Sequence, residues 1–451
     1  MATIDRAVLG RLTAAEQERF ATQHPRSAAL VDRARSCMVG GVPMHWMVRW
    51  AGGFPLFVDS ASGGHFTDVD GLDYVDLCLG DTGAMTGHAP EAATTAIIGQ
   101  LAKGITTMLP TEAAIEVSEE LGARFGLSHW QFTLTATDAN RAVVRLAREL
   151  TGRPRILVFN GCYHGTVDET IVRLGTDGTV LPRPGSVGPP VDPSVTTRVC
   201  EFNDVDALAA ELAHGDVALV LAEPALTNVG IVLPDVGYHA ALRELTRQHG
   251  TLLALDETHT LCCGPGGATA AWGLEPDILT MGKPLGSGVP SAAYGLSAEL
   301  TAQVMARTEV DLADVGGIGG TLAGNALSLA AMRATLRDVL TAEAFELTIP
   351  LAERFTVGVE AVIDEFDLDW HVARLGCRAE YRFQPAHPHD GGEAIASEDA
   401  ELDGFMHLFA LNRGILMTPF HNMALMSPAT TEADVDHHTA VFREAVEALL
   451  N

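Results

Sequence analysis

The chain has 451 residues, 47% of them hydrophobic and 19% charged, with 45 Gly and 22 Pro spread along its length, the profile of a compact α/β enzyme. Acidic residues outnumber basic ones by 58 to 29, and the resulting formal charge of −29 repels nucleic-acid phosphates and anionic lipid surfaces, so neither is an expected partner. Seven cysteines at irregular positions, none in a C-x-x-C pair, speak against a zinc knuckle or a disulfide framework and for reduced thiols.

The N-terminal segment MATIDRAVLGRLTAAEQERF carries acidic residues and lacks an apolar core, so no signal peptide is expected. No apolar run reaches the roughly 18 residues of a membrane span, and a cytoplasmic protein is expected. Residues 12–38 read as a surface helix, followed by a turn at 40–43. Segment 54–79 alternates like strands, with a turn at Asp70-Gly71. From about 90 to 300, helical stretches at 90–103, 111–125, 138–151, 204–213 and 237–249 alternate with short apolar runs at 156–159, 217–223, 251–256 and 292–297. Such alternation predicts a mostly parallel sheet with helices on both faces. Residues 322–342 and 344–365 read as long helices. The tail mixes strands at 378–384 and 414–418 with helices at 399–411 and 432–450. The predicted fold class is α/β, with a large domain over 79–325 and a smaller α+β domain built from 1–78 and 326–451.

Functional groups in open α/β sheets collect where strands end. After the apolar run at 130–134, Thr135-Ala136-Thr137-Asp138 opens a helix whose free backbone N–H groups suit a phosphate, as an ordinary helix cap also would. Tyr163 and His164 follow the run at 156–159, where an aromatic ring can cover a flat heterocycle or fill a turn. Asp256-Glu257 ends the run at 251–256. A carboxylate there can cap a helix, bind metal or pair with a cationic ring nitrogen, and no His or Cys spacing supports a metal. Lys283, in MGKPLGSGVP, is one of only two lysines, the other being Lys103. A lysine among small and apolar residues is suited to imine formation. Gly319-Gly320-Thr321 is a second Gly-rich turn that opens a helix.

In this order and spacing, the five motifs resemble the class III pyridoxal 5′-phosphate (PLP) aminotransferases of fold type I, from about residue 35 to the C-terminus. The branch is similar to glutamate-1-semialdehyde aminomutase and the β-amino-acid and amine transaminases. The resemblance implies Lys283 as the Schiff-base lysine and Asp256 as the partner of the pyridine nitrogen, the two catalytic groups. It implies Ala136 and Thr137, with Thr135 beside them, around the phosphate, and Tyr163 of the Tyr-His-Gly turn, next to His164, stacked on the ring. Thr321 would reach the phosphate of a neighbouring subunit, which implies a homodimer with shared active sites. The phosphate loop departs from the family's Ser-Gly-Thr-Glu pattern. Thr258 stands where a branched apolar residue packs on the ring's second face. His259 and Cys262-Cys263 also depart, and are read as core packing.

For the substrate pocket, a gapless comparison with the β-amino-acid transaminases puts Trp46 and Phe420 where carboxylate-binding arginines stand. Losing two bidentate donors favours an apolar donor substrate. Arg49 and His421 would restore an anion site after a shift of a few residues. The expected function is transfer of an amino group from an amine or hydrophobic amino compound to a keto acid or aldehyde. The alternative is a glutamate-1-semialdehyde-type aminomutase, or a PLP-dependent racemase or decarboxylase. A dinucleotide oxidoreductase lacks its early G-x-G-x-x-G loop, and a non-catalytic PLP regulator would carry a DNA-binding module.

Overall fold

The computed structural model describes residues 4–188, 191–307, 318–419 and 421–451. The chain divides into two compact units, one of residues 1–90, 343–387 and 397–451, the other of 91–342 and 388–396. The helix Ala326–Ala334 thus lies in the second unit rather than opening the small domain, and nine residues of the tail join that unit as well.

The second unit is built on a seven-stranded sheet of β1 (His129–Thr133), β2 (Arg155–Phe159), β3 (Thr197–Cys200), β4 (Val217–Ala222), β5 (Leu252–Asp256), β6 (Ile278–Met281) and β7 (Ala292–Leu296). The spatial order is β1-β7-β6-β5-β4-β2-β3. β7 pairs antiparallel with both of its neighbours, and every other pairing is parallel. All residues of β4, β6 and β7 are buried, which is why these segments read as continuous apolar runs rather than alternating ones. Helix α1 (Ala136–Thr151) packs on the sheet through Ala139, Asn140, Val143, Val144 and Ala147, a stripe at the 3.6-residue period. β3 and β6, four residues each, were not anticipated from their apolar runs; both are too short to stand out from the turns beside them. Because six strands are parallel, the segments that follow β1, β2, β4, β5 and β6 all leave the same edge of the sheet.

The first unit holds a sheet of strands Val58–Ser62, His65–Asp68, Asp73–Asp76 and Ile415–Leu416, and a second of His371–Leu375, Arg378–Arg382 and Met423–Leu425. Helices Ala342–Glu365, Ala400–Leu411 and Glu432–Leu450 follow the predicted spans closely. The expected helix at 12–38 is two helices, Arg6–Gln23 and Pro25–Ala34, since Pro25 has no N–H for a continuing helix and starts a new one well. The helix expected over 322–342 ends at Ala334 and relaxes into a π turn at Thr335–Val339. Among the described residues, no helix is long and apolar enough to cross a membrane.

Four imidazoles of the first unit are held neutral by burial. It pulls His371, His407 and His421 down to about 4 and His438 to about 3. In the unfolded chain such rings protonate at about 6.5, so the unfolded state takes up protons first as pH falls. The stability they confer is complete above pH ~6.5 and is lost on the way down to pH ~4. Unfolding followed by circular dichroism should therefore show a melting temperature that drops steadily below pH 6.5. His407→Leu should make the slope of stability against pH shallower by about 1.4 kcal/mol per pH unit. A flat profile between pH 6.5 and 4.5 would show that these rings are not buried as neutral groups.

Candidate active site

Thr135 caps α1: its hydroxyl accepts from Asp138 N at 3.2 Å and donates to Asp138 Oδ2 at 2.8 Å. The helix offers no carbonyl to the N–H groups of Ala136 and Thr137, which remain at its positive end as anion donors. Two turns close on this end. An added Cβ on Gly282 would stand 3.0 Å from both the nitrogen and the Cβ of Ala136. A Cβ on Gly165 would come within 2.1 Å of Thr137 Oγ1, the same oxygen that accepts from Thr166 N at 3.0 Å. Glycine at both positions lets the loops after β2 and β6 approach the helix start and frame its N–H end as a candidate anion cradle.

At the end of β5, Asp256 is 3% exposed. His164 Nδ1 lies 2.9 Å from its Oδ2, Asn140 Nδ2 donates to the same oxygen at 2.9 Å, and Thr258 N donates to Oδ1 at 3.1 Å. Asn140 is in turn fixed by Thr280 Oγ1, which donates to its Oδ1 at 2.7 Å. Burial opposes ionisation of Asp256, yet His164, Thr258 and Asn140 hold its carboxyl below the usual range. Burial likewise opposes protonation of His164, and Cys162 and Asp256 nevertheless raise it well above the ordinary imidazole value. The result is a buried carboxylate whose acidity is strengthened by its donors, with an imidazole against it, at a strand end. It is suited to a cationic N–H of a ring.

Lys283 follows β6 with its backbone in the left-handed region at φ 41°, a strain few non-glycine residues bear. Its Nζ lies 2.7 Å from His259 Nε2. Thr258 directly follows the Asp256-Glu257 pair. Among the described residues, Asn228 Nδ2, just past Thr227, whose hydroxyl donates to Glu223, is buried without a hydrogen-bond partner. An unspent donor of this kind fits a polar ligand. Glu223, at the end of β4, accepts from Tyr163 N at 3.3 Å, and burial pushes its carboxyl upward. A candidate anion cradle, a buried carboxylate, a presented lysine and an unspent buried donor together fit a phosphorylated pyridine aldehyde.

Of the residues singled out from sequence, the structure brings Ala136, Thr137, His164, Asp256, Thr258 and Lys283 to one edge of one sheet. Thr135 spends its hydroxyl on the helix cap, and His164 stands on Asp256. Tyr163 is 40% exposed, with the Arg183 guanidinium 6.0 Å from its ring centre. Thr321 is exposed on a turn ahead of Ala326–Ala334. Trp46, Arg49 and His421 belong to the first unit. There the Trp46 and Trp50 rings lie 6.1 Å apart, and His421 Nδ1 is 3.8 Å from Glu380 Oε1. Phe420 lies outside the described residues. Cys262 is buried and Cys263 half-buried, and neither is disulfide-bonded among the described residues. His259 is not simple core packing: it stands against the lysine amine. Asn140 was missed, although an amide on an otherwise apolar helix stripe is a legible signal. Thr280 and Asn228 carried none.

The family model Aminotransferase class-III matches residues 47–367. A glutamate-1-semialdehyde 2,1-aminomutase of Chloroflexus aggregans is 34% identical over 439 residues, covering 95% of this chain and 99% of that protein. The crystal structure of a glutamate-1-semialdehyde aminomutase from Pseudomonas aeruginosa PAO1 superposes with a TM-score of 0.97 at 48% identity, covering 99% of each chain. A lysine-to-alanine variant of it, in complex with PMP, matches equally well. An omega-transaminase from Sphaerobacter thermophilus gives a TM-score of 0.85 at 28% identity, over 94% of this chain and 98% of its own.

Two substitutions separate the cradle from the charge network. Gly282→Ala should press on Ala136 and weaken cofactor retention at least tenfold, measured by fluorescence titration, with little change in melting temperature. Asn140→Ala should remove one donor from a buried carboxylate and cost about 1.5–3 kcal/mol of stability. Unchanged stability in Asn140→Ala would mean that Asp256 does not depend on this amide.

Proposed function

We propose that this chain, which belongs to the class-III aminotransferase family, moves an amino group between adjacent carbons of one substrate, as a glutamate-1-semialdehyde-type aminomutase. The observation that carries this reading is the 48% identity, over 99% of both chains, to the Pseudomonas aeruginosa aminomutase, against 28% to the omega-transaminase. The sequence-based preference for an amine transaminase is the less supported of the two.

The cofactor is pyridoxal 5′-phosphate, which supplies a carbonyl that condenses with amines and a cationic ring that draws charge from the carbon losing its proton. In the proposed site the N–H groups of Ala136 and Thr137 bind the phosphate. Asp256, kept ionised by its three donors, accepts from the ring N–H and keeps that nitrogen protonated. Tyr163 and Thr258 would flank the ring. Lys283 would hold the cofactor through Nζ, and the freed amine would carry the proton between the substrate carbon and the cofactor carbon that bears the transferred nitrogen. Thr321 is assigned to the phosphate of a second copy in a homodimer, and the protein to the cytoplasm.

A mutase and a transaminase share this machinery and differ in whether the carbonyl product leaves. The holoenzyme given glutamate 1-semialdehyde and no acceptor should convert it fully to 5-amino-4-oxopentanoate, followed by mass spectrometry. If turnover instead requires pyruvate or another carbonyl acceptor and releases a carbonyl from the donor, the enzyme is a transaminase.

A further inference from the structure

We propose that His259 is a positioning residue for Lys283, its Nε2 holding the lysine amine where that amine releases and retakes the substrate proton. The inference rests on reading Lys283 as the lysine that bonds to the cofactor, and adds a residue that this reading does not require.

The geometry is specific. Nε2 of His259 and Nζ of Lys283 are 2.7 Å apart, the distance of a direct hydrogen bond. The two residues come from different loops, His259 three residues past the end of β5 and Lys283 two past the end of β6. Neighbouring parallel strands set them side by side, with Asp256 opposite Thr280 in the ladder. Both anchors are stiff. The β5 loop is pinned by Glu257, whose carboxylate accepts from Thr260 Oγ1, from Ala268 N at 3.1 Å and from Thr269 N at 2.5 Å. The β6 loop holds Lys283 at a strained φ of 41°. A four-carbon side chain on a fixed backbone still samples many rotamers, and freezing one of them costs entropy. A partner at the amine offsets that cost at the atom where the chemistry needs it.

Histidine suits this place better than a purely structural residue. A neutral Nε2 accepts from the lysine ammonium, and two positive charges at this separation repel. The other titratable groups of the two elements are already engaged or lie beyond the pair. Asp256 is bonded to His164 and Asn140, Glu257 is bonded within its own loop, and Asp277 is bidentate with Arg243. Cys262 is buried and Cys263 half-buried on the following turn.

The two-lysine sequence allows a direct test, since Lys103 serves as an internal control. The holoenzyme in its pyridoxamine-phosphate form is pulse-labelled with an amine-directed acylating reagent from pH 6 to 10, and the two lysine peptides are quantified by mass spectrometry. The pH profile of Lys283 labelling should change in His259→Leu, with Lys103 unchanged throughout. His259→Leu should lose 10- to 100-fold in kcat with KM within about twofold, and His259→Gln, which keeps a hydrogen bond to the amine, should recover most of it. A Lys283 labelling profile that His259→Leu leaves unchanged overturns the proposal. If PLP fails to protect Lys283 from the label, the assignment of the lysine is what falls.

Discussion

A fully desolvated carboxylate organises the centre of the second unit. An isolated buried charge costs several kcal/mol, and each hydrogen bond to a charged group returns about 1.5–3 kcal/mol. Asp256 is therefore tolerable only with all its donors in place. Those donors come from α1, from the turn after β2 and from its own strand end, and Thr280 of β6 fixes the amide that serves one oxygen. One charge thus ties together the ends of three strands and the start of a helix. The same ends carry the candidate anion cradle and the lysine. Glycine at 165 and 282 permits the close approach, and the strained backbone at Lys283 is a cost that the surrounding packing absorbs.

The layout of the sheet was legible because its buried strands are apolar on both faces and its helices carry a strong 3.6-residue stripe. The ends of those strands pointed to Asp256, Tyr163 and Lys283 for the same reason. What sequence reading missed was set by long-range pairing. Asn140 and Asp256 are 116 positions apart, and Thr280 reaches Asn140 across 140 positions. His259 was visible and misread, because its partner lies on a different strand's loop. The two-helix N-terminus was signalled by Pro25. The π turn after Ala334 had no such marker.

The site holds everything that amino-group chemistry on a pyridine aldehyde needs, and those parts do not by themselves distinguish an internal transfer from an exchange between two substrates. That choice depends on how long the carbonyl product is retained, a property of the pocket walls rather than of Asp256 or Lys283. The similarity to aminomutases over whole chains makes the internal transfer the stronger reading.

The account depends first on Lys283 carrying the cofactor, and borohydride reduction of the holoenzyme tests this directly. With only two lysines in the chain, proteolysis and mass spectrometry give an unambiguous assignment. The account predicts a phosphopyridoxyl mass on the peptide that contains Lys283, with none on Lys103. The adduct on Lys103, or no adduct on a protein that retains its cofactor, would contradict it.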